Sequence, residues 1–419
     1  MSKTSRLGIL RDPDFGRLFA ATALGQLGDR IIFLALPLVA IAALNTDEFQ
    51  VGLLTATTTA GSLLVGLPAG AWVDRMRKRS VMISTDLVRA LILLAIPVVW
   101  WAGFLTIWWL YAVALTHGLL TVFFDIAYVS YLPHLVGRDN LVEGNSKLSA
   151  IRSVTSISGP AVAGPLVGWL GAPVALLASS VGMAASGLLA IGIRKRERKP
   201  ELSGHPKMRR DIKEGLKFVL GSPALRAIIL GDAIFNLFLV MYQTMLLFFL
   251  EREIGLQSFG IGLLLSGMGC GALLGALLAT TVSKRVGQGP VIWLAPLVTC
   301  PLTVLMPMAR PGWSVYVAAV GLAALSLGGV VRVVAQSSFQ QALTPDRLLG
   351  RMSATSRFVS WGGIPLGGLL GGVSGSVFGA APTLWIGATG MTLSLLPNFL
   401  SPLRTMRTMP AEEGAELAC

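Results

Sequence analysis

Four aspartates and one arginine fall where the chain is otherwise oil: Asp29, Asp86, Asp125, Asp232 and Arg332. An ionised side chain at mid-bilayer costs roughly 2.5–3.5 kcal/mol even on a lenient insertion scale. Each of these groups must therefore face a bundle interior, find a partner or hold a proton. An acid that gains and loses a proton at that depth can carry one across. Asp29, in Gly25-Gln26-Leu27-Gly28-Asp29-Arg30, lies near the middle of the first apolar stretch. Arg30 is about 100° further round the helix, so the two charges need not neutralise each other. Asp29 is the first candidate for proton coupling, and a structural ion pair with a base on another helix is the alternative. Asp125, beside Phe124 and Tyr128, is a second proton site or a contact for a cationic group of a cargo. Asp232, one turn before Asn236, is a third. Arg332 barely titrates; it either pairs with one of these acids or faces an anionic group. Gln336 continues its helix, and with Gln26, Tyr128, Phe124 and Asn236 it is a candidate for lining a cargo cavity. His117 titrates in a useful range if wet, although a lone histidine is more often a structural donor. Asp86 and Arg89, three apart, read as a helix-surface pair near the cytoplasmic end of their span.

These residues need elements that hold them in lipid. Hydrophobic residues make up 53% of the 419 and charged residues 13%. Apolar stretches of about 20 residues, long enough to span a bilayer, follow one another from Phe15 to Leu403. Twelve spans are predicted, at roughly 15–43, 50–73, 80–102, 107–133, 147–170, 173–193, 223–250, 258–283, 290–309, 313–341, 352–378 and 381–403. Almost every base falls on one side of this alternation, and the opposite loops hold only Arg252 and Arg310. The positive-inside rule then puts both termini in the cytoplasm. The net charge of +13 is orientation in a cell membrane, bacterial in type, and not a nucleic-acid footprint. No Walker-type G-x-x-x-x-G-K-[ST] occurs, so uphill work would draw on a gradient and not on ATP. Three cysteines and three scattered histidines form no disulfide framework or metal motif, and no cofactor is expected.

The domain reading is a cytoplasmic tail (1–14), a six-helix bundle (15–193), a basic linker (194–222), a second bundle (223–403) and a tail (404–419). Within the linker, Ile212, Leu216 and Val219 share one face with Lys213 and Lys217 at its flanks. That pattern fits either a short helix on the anionic leaflet or a solvated turn. The halves look duplicated. Ala127, Leu141, Gly144, Arg152 and Pro160 have counterparts at Ala335, Leu348, Gly350, Arg357 and Pro365, an offset of about 205–208 residues. Parallel halves with a cargo site near mid-membrane belong to transporter architecture.

Between spans two and three, Gly70-Ala-Trp-Val-Asp74-Arg75-Met-Arg77-Lys78-Arg79 resembles the G-x-x-x-D-R-x-G-R-[RK] loop of the major facilitator superfamily, with Arg77 in place of a glycine. Phe123-Phe-Asp125-Ile-Ala-Tyr128, Leu132-Pro133, Asp139-Asn140-Leu141, Gly144-Asn145, Gly159-Pro160 and Gly164-Pro165 resemble the bacterial drug:proton antiporter branch that includes the enterobactin exporter and macrolide efflux proteins. The resemblance implies an all-α membrane protein with twelve transmembrane helices in two pseudo-symmetric six-helix bundles. It also implies a cytoplasmic latch of Asp74 and Arg75 with Arg357, with Arg152 as the repeat mate of Arg357; the three bases that follow are expected to fix topology only. Gly159, Pro160, Gly164 and Pro165 resemble the glycine-proline motif of antiporters among these exporters.

The function expected is secondary active transport: a proton-driven antiporter, not an enzyme, that exports a bulky amphipathic small molecule such as a drug, antibiotic or siderophore by alternating access. A dedicated siderophore or lipid exporter of the same fold, or a transport-inactive sensor or scaffold, is the alternative. The partners expected are the lipid bilayer, the small-molecule cargo and protons.

Overall fold

A computed structural model describes residues 8–137, 140–195, 197, 208–345 and 348–406; within these, the side chains of residues 67, 71, 74, 142 and 208–213 are outside the description. The described residues form helices and no strand. In chain order they are α1 (Pro13–Leu38), α2 (Glu48–Asp74), α3 (Lys78–Trp101), α4 (Ile107–Val136), α5 (Leu141–Leu170), α6 (Ala172–Ile191) and α7 (Met208–Gly221). Then come α8 (Pro223–Phe248), α9 (Ser258–Val286), α10 (Gln288–Thr299), α11 (Ser314–Ala342), α12 (Leu349–Phe378), α13 (Ala380–Leu393) and the one-turn α14 (Leu396–Phe399). Among the described residues nine helical segments are long and apolar enough to cross a membrane. The long but more polar α5 and α12, and the shorter α13, complete the twelve expected helices. The expected span at 290–309 is a composite, because Pro301 starts a tight 3-10 turn (Pro301–Leu305) after α10.

The helix ends follow from local chemistry, and they repeat. Asp12 caps α1, its Oδ1 accepting from the backbone N–H groups of Asp14 at 2.8 Å and Phe15 at 3.4 Å, with Pro13 at the first helical position. Ser222 caps α8 through the N–H of Leu225, with Pro223 in the same place. Such caps satisfy donors that a helix start leaves free, and proline loses nothing there. Both helices end in a five-residue π-helical turn, Val39–Ala43 and Phe249–Glu253. Gly171 (φ +80°) turns the chain from α5 into α6, and Gly379 (φ +90°) from α12 into α13. The duplication expected from residue spacing is therefore written in the backbone as well.

The described residues form two compact units. The first takes in those within Met1–Thr46, Thr57–Gly204 and Gln257–Ser266; the second, those within Asp47–Ala56, His205–Leu256 and Gly267–Cys419. The start of α2 falls in the second unit and the start of α9 in the first. Glycines cause both assignments. In the second unit a Cβ on Gly52 would collide with the backbone of Gly372, and one on Gly372 would stand 2.8 Å from the Gly52 Cα. In the first, a Cβ on Gly164 would stand 2.8 Å from the Ser258 carbonyl and 3.0 Å from the Gly262 Cα. Backbones approach this closely only where side chains are missing.

Each unit has an apolar core, Phe15, Leu18, Tyr131 and Leu135 among the first and Leu225, Ile228, Ile292 and Phe339 among the second. Trp101, Phe104, Trp108, Trp169 and Trp313 stay exposed near helix ends, as aromatic residues do at a membrane–water interface. The linker helix α7 is not a solvated turn: Val219 is buried in the second core, Gly215 lies against Arg351 and Thr355, and Glu214 pairs with Arg351 at 2.5 Å. Leu216 and Leu220 remain exposed.

Gly372→Ala is expected to lower the apparent Tm of the purified protein, since overpacking costs about 1–3 kcal/mol. Gly329→Ala, where an added Cβ meets nothing within 4 Å, is expected to leave it unchanged or raise it. Equal effects at the two positions would contradict the packing account.

Candidate functional site

In the first unit, helical spacing gathers polar residues on facing stripes. On α1, Thr22, Gly25, Gln26 and Asp29 follow at three- and four-residue steps and so share a face. On α4, His117, Thr121, Phe124 and Tyr128 do the same; α3 contributes Asp86 and Arg89, and α5 contributes Arg152 and Thr155. Small residues bring α1 and α6 together: a Cβ on Gly25 would be 3.4 Å from Ser186 Oγ, and one on Gly28 would be 3.3 Å from the Ser179 carbonyl.

Arg89 organises this region. Its side chain is 1% accessible, so it is no surface residue, and neither is Asp86 at 1%. Arg89 Nη2 donates to Asp86 Oδ1, and Ser186 Oγ donates to Asp86 Oδ2 at 2.6 Å. Arg89 Nη1 donates to Thr121 Oγ1 at 3.2 Å, and the guanidinium lies 4.6 Å from the centroid of the Phe124 ring. The same Nη1 is 3.7 Å from Asp29 Oδ1. The surface pair expected at these positions is instead a buried anchor, because α6 and α4 cover that face of α3.

Asp29 differs from Asp86 in having no close donor. Its Oδ1 is buried without a hydrogen bond, 3.6 Å from His117 Nε2 and 3.7 Å from Arg89, yet 37% of the side chain remains accessible. It faces a cavity of about 30 Å³ lined by Thr22, Gly25, Gln26, Asp29, Arg89, Phe124, Asp125, Tyr128 and Arg152. That is room for roughly two waters, given about 10–15 Å³ for each. Gln26 Oε1 accepts from Thr155 Oγ1 at 3.3 Å, and the Phe124 and Tyr128 rings stack at 6.1 Å. Asp29, Asp125, Gln26, Phe124 and Tyr128 thus meet, as residues chosen from sequence. Arg152 lines the same cavity.

The second unit holds another group. Arg332 is 3% accessible and pairs with Asp232 at 2.8 Å. Its guanidinium lies 4.1 Å from the centroid of the Phe235 ring. In the orientation that satisfies both neighbours, the Gln336 amide donates to Asp232 at 3.3 Å and accepts from Arg332 at 3.1 Å. Asn236 Nδ2 donates to the Ser360 carbonyl at 3.2 Å. Among the three acids considered as partners, Asp232 is the one that pairs with Arg332.

For the latch, the side chain of Asp74 is outside the described residues. Arg75 is exposed, and Arg357 lies 5.7 Å from the centroid of the Trp361 ring. Two of the three bases that were expected only to fix topology have structural partners within the first unit. Arg79 donates to the carbonyls of Ala190 at 3.1 Å and Ile191 at 2.6 Å at the end of α6, where a cation suits the helix terminus. Glu197 accepts from the Arg79 backbone N–H at 3.3 Å and lies 3.8 Å from Lys78 Nζ. In the antiporter-like motif, the stem of Arg30 lies over Gly159, and Gly164 makes the close approach to α9; Pro160 and Pro165 sit inside an unbroken α5. Among the described residues no three His, Cys or acidic side chains converge as a metal site.

The chain is similar to known proteins over almost its whole length. It matches the family described as "Transmembrane secretion effector" over residues 4–416. It is 25% identical to the multidrug efflux pump Tap of Mycolicibacterium fortuitum, across 93% of this chain and 96% of that one. It is 24% identical to the enterobactin exporter EntS of Salmonella choleraesuis, across 96% of each. Among solved structures, a bacterial homologue of the human lysosomal transporter Spinster superposes with a TM-score of 0.78 over 96% of this chain and 100% of that one, at 16% identity.

Arg89→Gln is expected to destabilise the protein by about 3–5 kcal/mol, because it strands Asp86 beside a partly desolvated Asp29. Asp86→Asn together with Arg89→Gln should recover much of the loss. Apparent Tm values for the set provide the check, and additive losses would contradict the buried-anchor account.

Proposed function

The chain belongs to the transmembrane secretion effector family, efflux transporters of the major facilitator superfamily, and from that premise we propose a proton-coupled antiporter that exports a bulky amphipathic small molecule. The observation that carries the coupling is Asp29: an acid within a membrane span, reached from a water-sized cavity, with one oxygen turned toward Arg89 and His117 but bonded to neither. A carboxylate fully committed to a salt bridge would have little reason to titrate. One held just beyond hydrogen-bond distance by a cation shared with Asp86 can exchange a proton for that cation's attention.

Asp29 takes a proton when the cavity is wet from the exterior. Arg89 then rests on Asp86 alone, and two buried opposite charges remain matched. When the proton leaves toward the cytoplasm, Asp29 regains its ionic interaction with Arg89. Asp125 and Arg152 line the same cavity and set the local field, and Phe124 and Tyr128 offer aromatic surface to a cargo. The helices alternate access to the two sides of the membrane, and the cargo leaves chemically unchanged. The outward direction and the amphipathic cargo are supported by relatives named as a multidrug pump and an enterobactin exporter. A bacterial plasma membrane with cytoplasmic termini fits the distribution of bases.

The test uses inside-out vesicles with an acidified interior, a pH dye, and a panel of siderophores, macrolides and cationic dyes. At least one compound should release protons from wild-type vesicles, and Asp29→Asn should reduce that release more than tenfold while still folding and inserting. Several unrelated compounds doing so would mark a multidrug range, and a single one a dedicated exporter. If no compound moves protons through inserted wild-type protein, or if Asp29→Asn remains coupled, the antiport reading fails.

A further inference from the structure

The linker helix α7 commits one face to the second unit and leaves the other open. Gly215 and Val219, four residues apart, point inward: Val219 is buried in the second core, and a Cβ on Gly215 would stand 2.9 Å from the Arg351 carbonyl. Leu216, Lys217 and Leu220 share the opposite face. All three are exposed, Leu216 at 40% and Leu220 at 52%. Leucines one turn apart beside a lysine form the pattern of a helix lying in a membrane interface. The position suits it. Ser222, with extended backbone (φ −95°, ψ 114°), ends α7 and caps α8, and the apolar span starts at Pro223. Leu220 is therefore within one helical turn of the point where the chain enters the membrane.

The charges at this end are also uncommitted. In the first unit, Arg17, Lys78 and Lys147 pair with Asp14, Glu197 and Glu143. Arg79 and Lys195 donate to helix-end carbonyls there, while Arg75 and Arg77 stay exposed. In the second unit, Glu214 is engaged by Arg351. Lys217, Arg226 in the first turn of α8, and Lys284 and Arg285 at the end of α9 are all exposed. Among the described residues no acid pairs with any of these four.

We propose that the outward face of α7, together with Arg226, docks on the headgroups of anionic phospholipid. Leu216 and Leu220 enter the boundary of the acyl layer. Lys217 lays its stem along them and sets its ammonium against a phosphate. Arg226, at the start of α8, takes phosphate oxygens on its guanidinium. A zwitterionic surface would cover the leucines equally well but would give the bases less counter-charge, so the preference for anionic lipid comes from Lys217 and Arg226. Glu214 and Gly215 fix α7 to Arg351 at the start of α12. The docked helix thus holds the neighbouring ends of α8 and α12 at one depth in the membrane. The surface involves neither Asp29 nor the cargo, and it stands whatever the direction of transport.

The test is hydrogen–deuterium exchange of the full-length protein, read on peptides covering α7, because exchange reports local opening. Nanodiscs of phosphatidylcholine are compared with nanodiscs that also contain phosphatidylglycerol. The anionic lipid should slow exchange in wild-type α7 about tenfold, since each base near such a surface contributes roughly fivefold. Peptides of α4 should not respond. Lys217→Gln with Arg226→Gln should exchange at the same rate in both lipids. In phosphatidylcholine alone that variant should match wild type, which shows that it folds. High salt should remove the lipid response of the wild-type protein without any mutation. Leu216→Ser with Leu220→Ser should exchange faster in both lipids. Inorganic phosphate added to phosphatidylcholine nanodiscs should leave α7 unchanged. The proposal is overturned if phosphatidylglycerol leaves wild-type exchange unchanged, or if its effect survives high salt or the loss of both bases. It is equally overturned if free phosphate reproduces the effect, which would mark a soluble-anion site.

Discussion

The structure depends on the cost of placing charge where there is no water. Arg89 is sealed inside the first unit, and everything around it answers that cost: a carboxylate from its own helix, a hydroxyl from α4, an aromatic face, and a second carboxylate just out of bonding range. Ser186 holds the far oxygen of Asp86, and the glycines of α1 let α6 come close enough to deliver it. Burying a single arginine thus explains why α1, α3, α4 and α6 present polar residues to one another inside otherwise apolar helices. It also leaves one acid, Asp29, incompletely served, and the proposed coupling rests on that incompleteness.

The two units solve the same problem differently. Each has an acid on its first helix, Asp29 or Asp232, and each sets an arginine over an aromatic ring. In the first, the arginine comes from the third helix and is shared between two acids. In the second, it comes from α11 and is committed to one. The duplication preserved the helix caps, the π-helical turns after α1 and α8, and the glycine turns before α6 and α13. The charges were then distributed asymmetrically on that common frame. Under the antiport proposed above, that asymmetry lets the proton and the cargo act as different ligands.

Much of this was legible in sequence because the bilayer leaves few options. Span number, the duplicated plan and the intramembrane acids follow from hydropathy, spacing and the cost of buried charge, and the D-R loop and glycine-proline stretches carried the resemblance to the superfamily. The burial of Arg89 is hidden for a physical reason. A charge pair three residues apart satisfies the helix-surface rule, and sequence does not say that α4 and α6 cover that face. Extending to Arg89 the burial argument already applied to Asp29 and Asp86 points to the buried pair. The reassignment of the starts of α2 and α9 was equally hidden, because it rests on Gly52 meeting Gly372 and Gly164 meeting Gly262 across long separations in the chain. The roles of Arg79 and Glu197 depended on where α6 ends, to within a residue. Spacing on one helix is readable; which faces meet is a property of packing.

The central claim is that Asp29, next to Arg89, is the group that changes protonation during the working cycle. Infrared difference spectroscopy of the full-length protein in lipid, stepped through pH, reads this directly through the C=O stretch of a protonated carboxyl group. The account predicts a reversible carboxyl band in wild-type protein that disappears in Asp29→Asn and shifts in Arg89→Lys, where the cation is kept but its geometry is altered. A band that survives unchanged in Asp29→Asn would place the proton on another acid and contradict the account.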